Sequence, residues 1–111
     1  MTFQNILNIF ETLSSGTDAF KQLKIDCEHQ ILKDPSSLEN TALYIIYGFA
    51  KTYVLLYEDQ AVSTDFSSTA KAQLLEYMHK LNDAFLTQQS ENILLTLNEI
   101  STHYLKSDRV F

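Results

Sequence analysis

The stretch that decides the fold is TALYIIYGFAKTYVLLY, from Thr41 to Tyr57, in which Lys51 is the only charged residue. The stretch falls short of the roughly 18 consecutive apolar residues that a membrane-spanning helix needs, and tyrosines interrupt it. It is also too apolar on every side to lie alone on a protein surface. We therefore predict the central helix of a small bundle over about 38–58, or a helix whose second side is covered by another chain.

Residues that break helices are scarce along the whole chain of 111 residues, which has two Gly and one Pro. A β-sandwich or barrel would need turn residues about every 8–12 positions, whereas Leu, Gln, Glu, Lys and Ala favour helices. The spacing of the apolar residues indicates five helical segments. We predict an all-α fold, an antiparallel bundle of four to five helices. Residues 1–111 are expected to form a single domain, with 106–111 as a frayed tail.

Several residues predict where the helices begin and end. Ser63 or Thr64 fits the N-cap of the fourth helix. Ser36 with Glu39 three residues later fits a capping box at the start of the third helix. Gly16 fits the left-handed conformation that often closes a helix, here the first one.

The boundary between the last two segments, TQQSEN over 87–92, contains neither Gly nor Pro. We predict a break there, with Ser90 as the N-cap of the fifth helix. Leu86, Ile93 and Leu97 nonetheless keep almost the same helical phase. One long helix over both segments is therefore an alternative that the sequence leaves open.

The charge balance is acidic, because 14 Asp and Glu outnumber 8 Lys and Arg and give a net charge of −6. Proteins that bind nucleic acid need a basic surface to displace counterions, and anionic membranes attract basic segments. We therefore expect neither nucleic acid nor a membrane as a partner. A protein partner with a basic surface fits the acidity better.

Cys27 is the only cysteine, so no disulfide can form within the chain. A lone cysteine is typical of the reducing cytoplasm, where we expect the protein to be located. Cys27 also lies on the apolar stripe of the second helix, which predicts a buried structural thiol. The chain has no glycine-rich phosphate loop and no GxSxG, HExxH or CxxC motif. We expect no enzymatic activity and no cofactor.

Glu76 and His79 have the ExxH spacing that places both side chains on one side of the fourth helix. Carboxylate-bridged metal bundles use two such pairs, and the second is missing here. Glu99 and His103, on the fifth helix, would have to complete a site with a single metal. A solvent-exposed stripe explains the same residues, since metal sites need several ligands at one point. A metal or small-ligand site in the bundle core, built from these four residues, is an alternative function.

Gly48 interrupts the most apolar helix, where glycine costs about 1 kcal/mol relative to alanine. We expect that another helix of the bundle approaches it closely. Two alternatives are a subunit interface, with Gly48 letting two backbones come near, and a small apolar pocket ringed by Tyr44, Tyr47 and Tyr53.

The function that the sequence favours is binding of another protein, as an adaptor, inhibitor or immunity-type factor, with self-association as a homo-oligomer. The excess of apolar helix surface, the acidic balance and the lack of catalytic motifs motivate this hypothesis. A structural subunit of a larger assembly is a further alternative. Lys51 is expected to reach water or to pair with Glu58. The residues expected at the interface are Tyr44, Tyr47, Gly48, Lys51, Glu58, Asp59 and Asp65, the last three facing a basic partner.

Overall fold

A computed structural model describes all residues, 1–111, and contains five α-helices and no β-strand. The helices pack against one another, which confirms the predicted all-α bundle. Their bounds are α1 Phe3–Thr12, α2 Thr17–Lys33, α3 Asn40–Tyr57, α4 Thr64–Leu86 and α5 Ser90–Lys106.

Side-chain caps fix the first residues of two helices. The Thr2 hydroxyl accepts the Asn5 N–H, and the Asn5 side chain accepts the Thr2 N–H in return, which forms a capping box before α1. The Ser63 hydroxyl accepts the Phe66 N–H at 3.0 Å before α4. Each bond satisfies a backbone donor that the helix itself leaves free. The prediction that Ser63 or Thr64 caps α4 is confirmed at Ser63.

The predicted capping box at Ser36 and Glu39 is wrong. The Ser37 hydroxyl, rather than that of Ser36, accepts the Glu39 N–H at 3.2 Å. The Glu39 carboxylate instead accepts the Phe3 N–H at 2.9 Å and so ties the start of α3 to the start of α1. This contact joins residues 36 positions apart in the chain, and local spacing could not indicate it.

Gly16 has a φ of −76° and is the N-cap of α2, so the left-handed conformation expected there is also wrong. Ser90 is the first residue of α5, and Gln89 occupies the N-cap position without a side-chain bond. The predicted break between α4 and α5 is present, and the long continuous helix is not formed. The turn between them depends on Gln88, which adopts a left-handed φ of 58°.

The core is a single cluster to which all five helices contribute. Aromatic rings pack at its centre: Phe20 of α2 stacks on Tyr53 of α3, with centroids 3.8 Å apart, and meets Phe10 of α1 edge to face at 5.4 Å. Each fully buried side chain of this size contributes about 1.5–3 kcal/mol to stability. The apolar stripes of α1, α2 and α3 therefore supply much of the stability of the bundle.

Lys71 of α4 is buried and stabilises the end of α1. Its ammonium group donates to the Leu13 carbonyl and lies 3.4 Å from the Glu11 carbonyl, above the Phe10 ring. The last carbonyls of a helix attract a cation because the helix dipole is negative there. Desolvation lowers the pKa of Lys71 below its usual value, with a smaller opposing effect from Glu11.

The frayed tail predicted for 106–111 is wrong at both of its ends. Lys106 still belongs to α5, and Phe111 is fully buried. The Phe111 ring lies 4.9 Å from Phe49 of α3 and 6.0 Å from Tyr104 of α5, whose hydroxyl donates to the Phe111 carbonyl. The last residues thus return to the bundle and join α3 to α5.

The second side of α3 is not covered within the chain. The helix buries Leu43, Ile46, Ala50 and Tyr53 along one stripe, but its opposite side is open. The reason is the placement of α5, which packs mainly on α4 rather than across α3. No other helix of the chain remains to cover the second side of α3.

Candidate functional site

Two neighbouring helices carry an exposed apolar stripe. Four large side chains on it are more than half exposed: Ile25 by 53% and Leu32 by 71% on α2, and Tyr44 by 66% and Leu55 by 74% on α3. We call this surface the α2–α3 face. It consists of Lys21, Ile25, Glu28 and Leu32 on α2 and Tyr44, Tyr47, Gly48, Lys51 and Leu55 on α3.

Helical periodicity explains why these residues share one surface. On α2, positions 21, 25, 28 and 32 recur at steps of four, three and four, as do positions 44, 48, 51 and 55 on α3. Two contacts fix how the helices align. At one end Lys21 forms an ion pair with Glu58, and at the other end Leu32 lies beside Tyr44. The helices are therefore antiparallel, and their exposed stripes border the same groove.

The groove is open near its Tyr44 end. A cavity of about 190 Å³ there is lined by Glu28, Ile31, Leu32, Tyr44 and Tyr47. Pockets that hold drug-sized ligands usually measure about 300–1,000 Å³. The cavity is smaller than this range.

Tyr44 and Tyr47 stack on each other, with ring centroids 5.9 Å apart. Lys51 follows them along α3, and its ammonium nitrogen lies 6.0 Å from the centroid of the Tyr47 ring. Rings held in this way present a large apolar area while losing little conformational freedom on binding. The predicted pocket ringed by three tyrosines is wrong in one member, because Tyr53 points into the core instead.

Gly48 has no close neighbour within the chain. A Cβ atom built on it would meet no heavy atom within 4 Å. The expected close approach of another helix of the bundle is therefore wrong. A mid-helix glycine is unfavourable, and the packing of the isolated chain does not require one at this position.

The three acidic residues expected at the interface lie in different surroundings. Glu58 pairs with Lys21 rather than with Lys51. Of the two alternatives for Lys51, the pair with Glu58 is therefore wrong, and the side chain is exposed to water. The hydrogen bond to Glu58 raises the pKa of Lys21. Asp59 is exposed in the loop after α3, and Asp65 lies in the first turn of α4, where a carboxylate stabilises the helix.

The four residues of the alternative metal site do not come together. His79 lies 3.7 Å from Glu11, and Glu76 lies 3.8 Å from Lys80. His103 is hydrogen-bonded through Nδ1 to the Tyr77 hydroxyl at 2.6 Å. No three His, Cys, Asp or Glu side chains in the molecule are grouped so that they could hold a metal ion. This geometry does not support the metal hypothesis.

Cys27 is fully buried, as predicted. Desolvation raises the pKa of its thiol to about 12, and the charge of Asp26 adds a smaller effect. A thiol with so high a pKa stays protonated near neutral pH and is a poor nucleophile.

Sequence reasoning missed Ile25, Leu32 and Leu55 as members of the face. The first two lie among the charged residues of α2, outside its buried stripe, and that position was the available signal. An apolar residue on the polar side of an amphipathic helix needs another explanation than the core.

No protein-family model, curated protein or solved structure matches this chain. None of its helices combines the length and the apolar character that crossing a membrane would require.

Proposed function

We propose that this protein acts by binding another protein chain through the α2–α3 face, as an adaptor, inhibitor or immunity-type factor, and that it is not an enzyme. The observation that carries the proposal is the row of four large apolar side chains that are more than half exposed on adjacent helices. Contiguous apolar surface of this kind is uncommon on monomers and typical of interaction sites. Tyrosine is also among the residues enriched at interfaces.

The charges around the face support a role in recognition. Glu58 and Asp59 stand beside its Lys21 end, next to the loop that leads to Asp65. Acidic groups at the rim of an apolar surface speed association with a basic partner and contribute less to final affinity. We therefore propose that a partner carries an apolar centre and a basic edge. We also propose self-association through the same face, and a cytoplasmic location, which the unpaired thiol of Cys27 favours.

The test is the single change Tyr44→Glu, which places a charge at the open end of the α2–α3 face, beside the cavity. We expect the variant to keep its helical circular dichroism and melting temperature, because Tyr44 lies outside the core. We expect it to lose association, which native mass spectrometry of the untagged protein isolated from its own host would detect.

Leu94→Glu is the matched control, because Leu94 is 62% exposed on α5, away from the face. That change should leave association intact. Two results would contradict the proposal: a Tyr44→Glu chain that unfolds, or one that associates as well as the unmodified protein does.

A further inference from the structure

We infer that a second copy of this chain covers the α2–α3 face, and that the two copies approach most closely at Gly48. This inference rests on the proposed function and names the partner. Three observations lead to it: the charge of the face, the open space at Gly48, and the positions along the helix axes of the residues at each end of the groove.

Charge is distributed unevenly over the molecule. Helices α2 and α3 together carry four Lys and three Asp or Glu, a balance of +1. The remaining residues carry four basic and eleven acidic groups, a balance of −7 that completes the net charge of −6. Two copies of an acidic protein repel each other on most of their surface. On the α2–α3 side, where the two helices carry a balance of only +1, this repulsion is smallest.

Gly48 is the residue at which the two copies come closest to each other. It lies on the face between Tyr44 and Lys51, and no atom of its own chain occupies the space above it. Glycine permits a close approach of backbones that any side chain would prevent. A helix of a second copy resting at Gly48 accounts for a residue that the isolated bundle does not need.

The ends of the face fit a two-fold axis that runs along the groove. Leu32 and Tyr44 lie at the same height along the helix axes, at one end of the face. Lys21 and Glu58 lie at the same height at the other end. Two-fold rotation about this axis leaves each residue at the same height along the helix axes. It places α2 of each copy on α3 of the other. The result is an isologous interface in which four helices, two from each copy, pack as an antiparallel bundle.

This arrangement makes specific pairs. Leu32 meets Tyr44 of the second copy, and Glu28 lies at the level of Gly48 of the second copy. Neither Glu28 nor Lys51 forms an ion pair within its own chain. The rotation brings Glu28 within reach of Lys51 of the second copy, twice per dimer.

The experiment is a dimer dissociation constant from sedimentation equilibrium, measured for the purified full chain and for Gly48→Ala. The added methyl meets nothing within the chain, so the melting temperature of the dissociated protein should rise. The same methyl should weaken dimerisation by about tenfold or more, because it stands where the two copies touch. Gly16→Ala is the control: Gly16 also has open space around its Cβ position but lies before α2, off the face.

A charge exchange tests the pairing. Glu28→Lys and Lys51→Glu should each weaken the dimer, and the double variant should recover affinity. Failure of the recovery would overturn the proposed axis, and a Gly48→Ala chain that dimerises as well as the unmodified one would overturn the close approach at Gly48.

Native mass spectrometry of the protein from its host distinguishes failure of the inference from failure of the proposed function. A dimer of this chain supports the inference. A complex only with a different protein overturns the inference and the proposed self-association, and leaves the proposed binding of another protein standing. A bare monomer at every accessible concentration overturns both.

Discussion

Tyr53 and Tyr44 are the same residue type on the same helix, yet their surroundings are opposite. They are nine residues apart, which is two and a half helical turns, so they project from opposite sides of α3. Tyr53 is fully buried and stacks on Phe20, whereas Tyr44 is 66% exposed and stacks on Tyr47 at the surface. Apolar character alone therefore does not distinguish a core from a binding surface. The placement of the other helices decides between them.

The largest expected difference comes from truncating each ring. Tyr53→Ala should lower the free energy of unfolding by about 3–5 kcal/mol, the usual cost of removing a buried aromatic side chain. Tyr44→Ala should change it by less than about 0.5 kcal/mol, because an exposed residue loses little. Urea unfolding followed by circular dichroism, at concentrations where the chain is dissociated, would measure both. Equal losses for the two variants would mean that Tyr44 belongs to the core.

The inner side of α3 could be predicted from the sequence. Leu43, Ile46, Ala50 and Tyr53 recur at helical spacing, and all four are buried. Periodicity identifies such a stripe because each of these side chains lies over the same line of the helix. The all-α fold and the division into five helices follow from the same signal and from the scarcity of Gly and Pro.

The outer side could not be predicted, because its exposure depends on where α5 packs. Phe111 takes part in that placement, because it contacts Phe49 of α3 and Tyr104 of α5 from a segment without any periodicity. The turn at Gln88 could not be predicted either, because Gly or Asn usually occupies a position with a left-handed φ. Tyr44 and Tyr47 were chosen as interface residues from composition, and that role stays a prediction.

The buried core and the exposed face also differ in their response to pH. The buried thiol of Cys27 has its pKa raised from 9.0 to about 12, so above pH 9 the unfolded chain loses a proton that the folded chain keeps. The unfolded state is then stabilised relative to the folded one. This contribution to stability is complete below pH 9.0 and is lost as the pH rises toward 12.

The measurement is the free energy of unfolding at pH 8 and pH 10 for the unmodified protein and for Cys27→Val. The unmodified protein should lose about 1.4 kcal/mol more than the variant over this interval, one tenfold step in proton concentration beyond pH 9. Other groups titrate in both proteins and cancel in the difference. Identical losses would show that the Cys27 thiol does not distinguish the two states in this range.

The smallest effect, and the one most specific to the inner side, concerns the Tyr53 hydroxyl. It is buried without a hydrogen-bond partner, and burial raises its pKa. Leaving a buried hydroxyl unpaired costs about 1–3 kcal/mol. Tyr53→Phe removes the hydroxyl and keeps the stacked ring, so the free energy of unfolding should rise by about 1 kcal/mol, the lower end of that range.

Tyr77→Phe provides the control of opposite sign. Tyr77 is also buried, but its hydroxyl accepts a hydrogen bond from Gln73 at 2.9 Å and lies 2.6 Å from His103 Nδ1. Removing it should lower the free energy of unfolding by about 1 kcal/mol, because the hydrogen bonds that the hydroxyl forms with Gln73 and His103 are lost. If Tyr53→Phe also destabilised the protein, the Tyr53 hydroxyl would have a partner in solution, and the inner side of α3 would hold a polar contact rather than an apolar core.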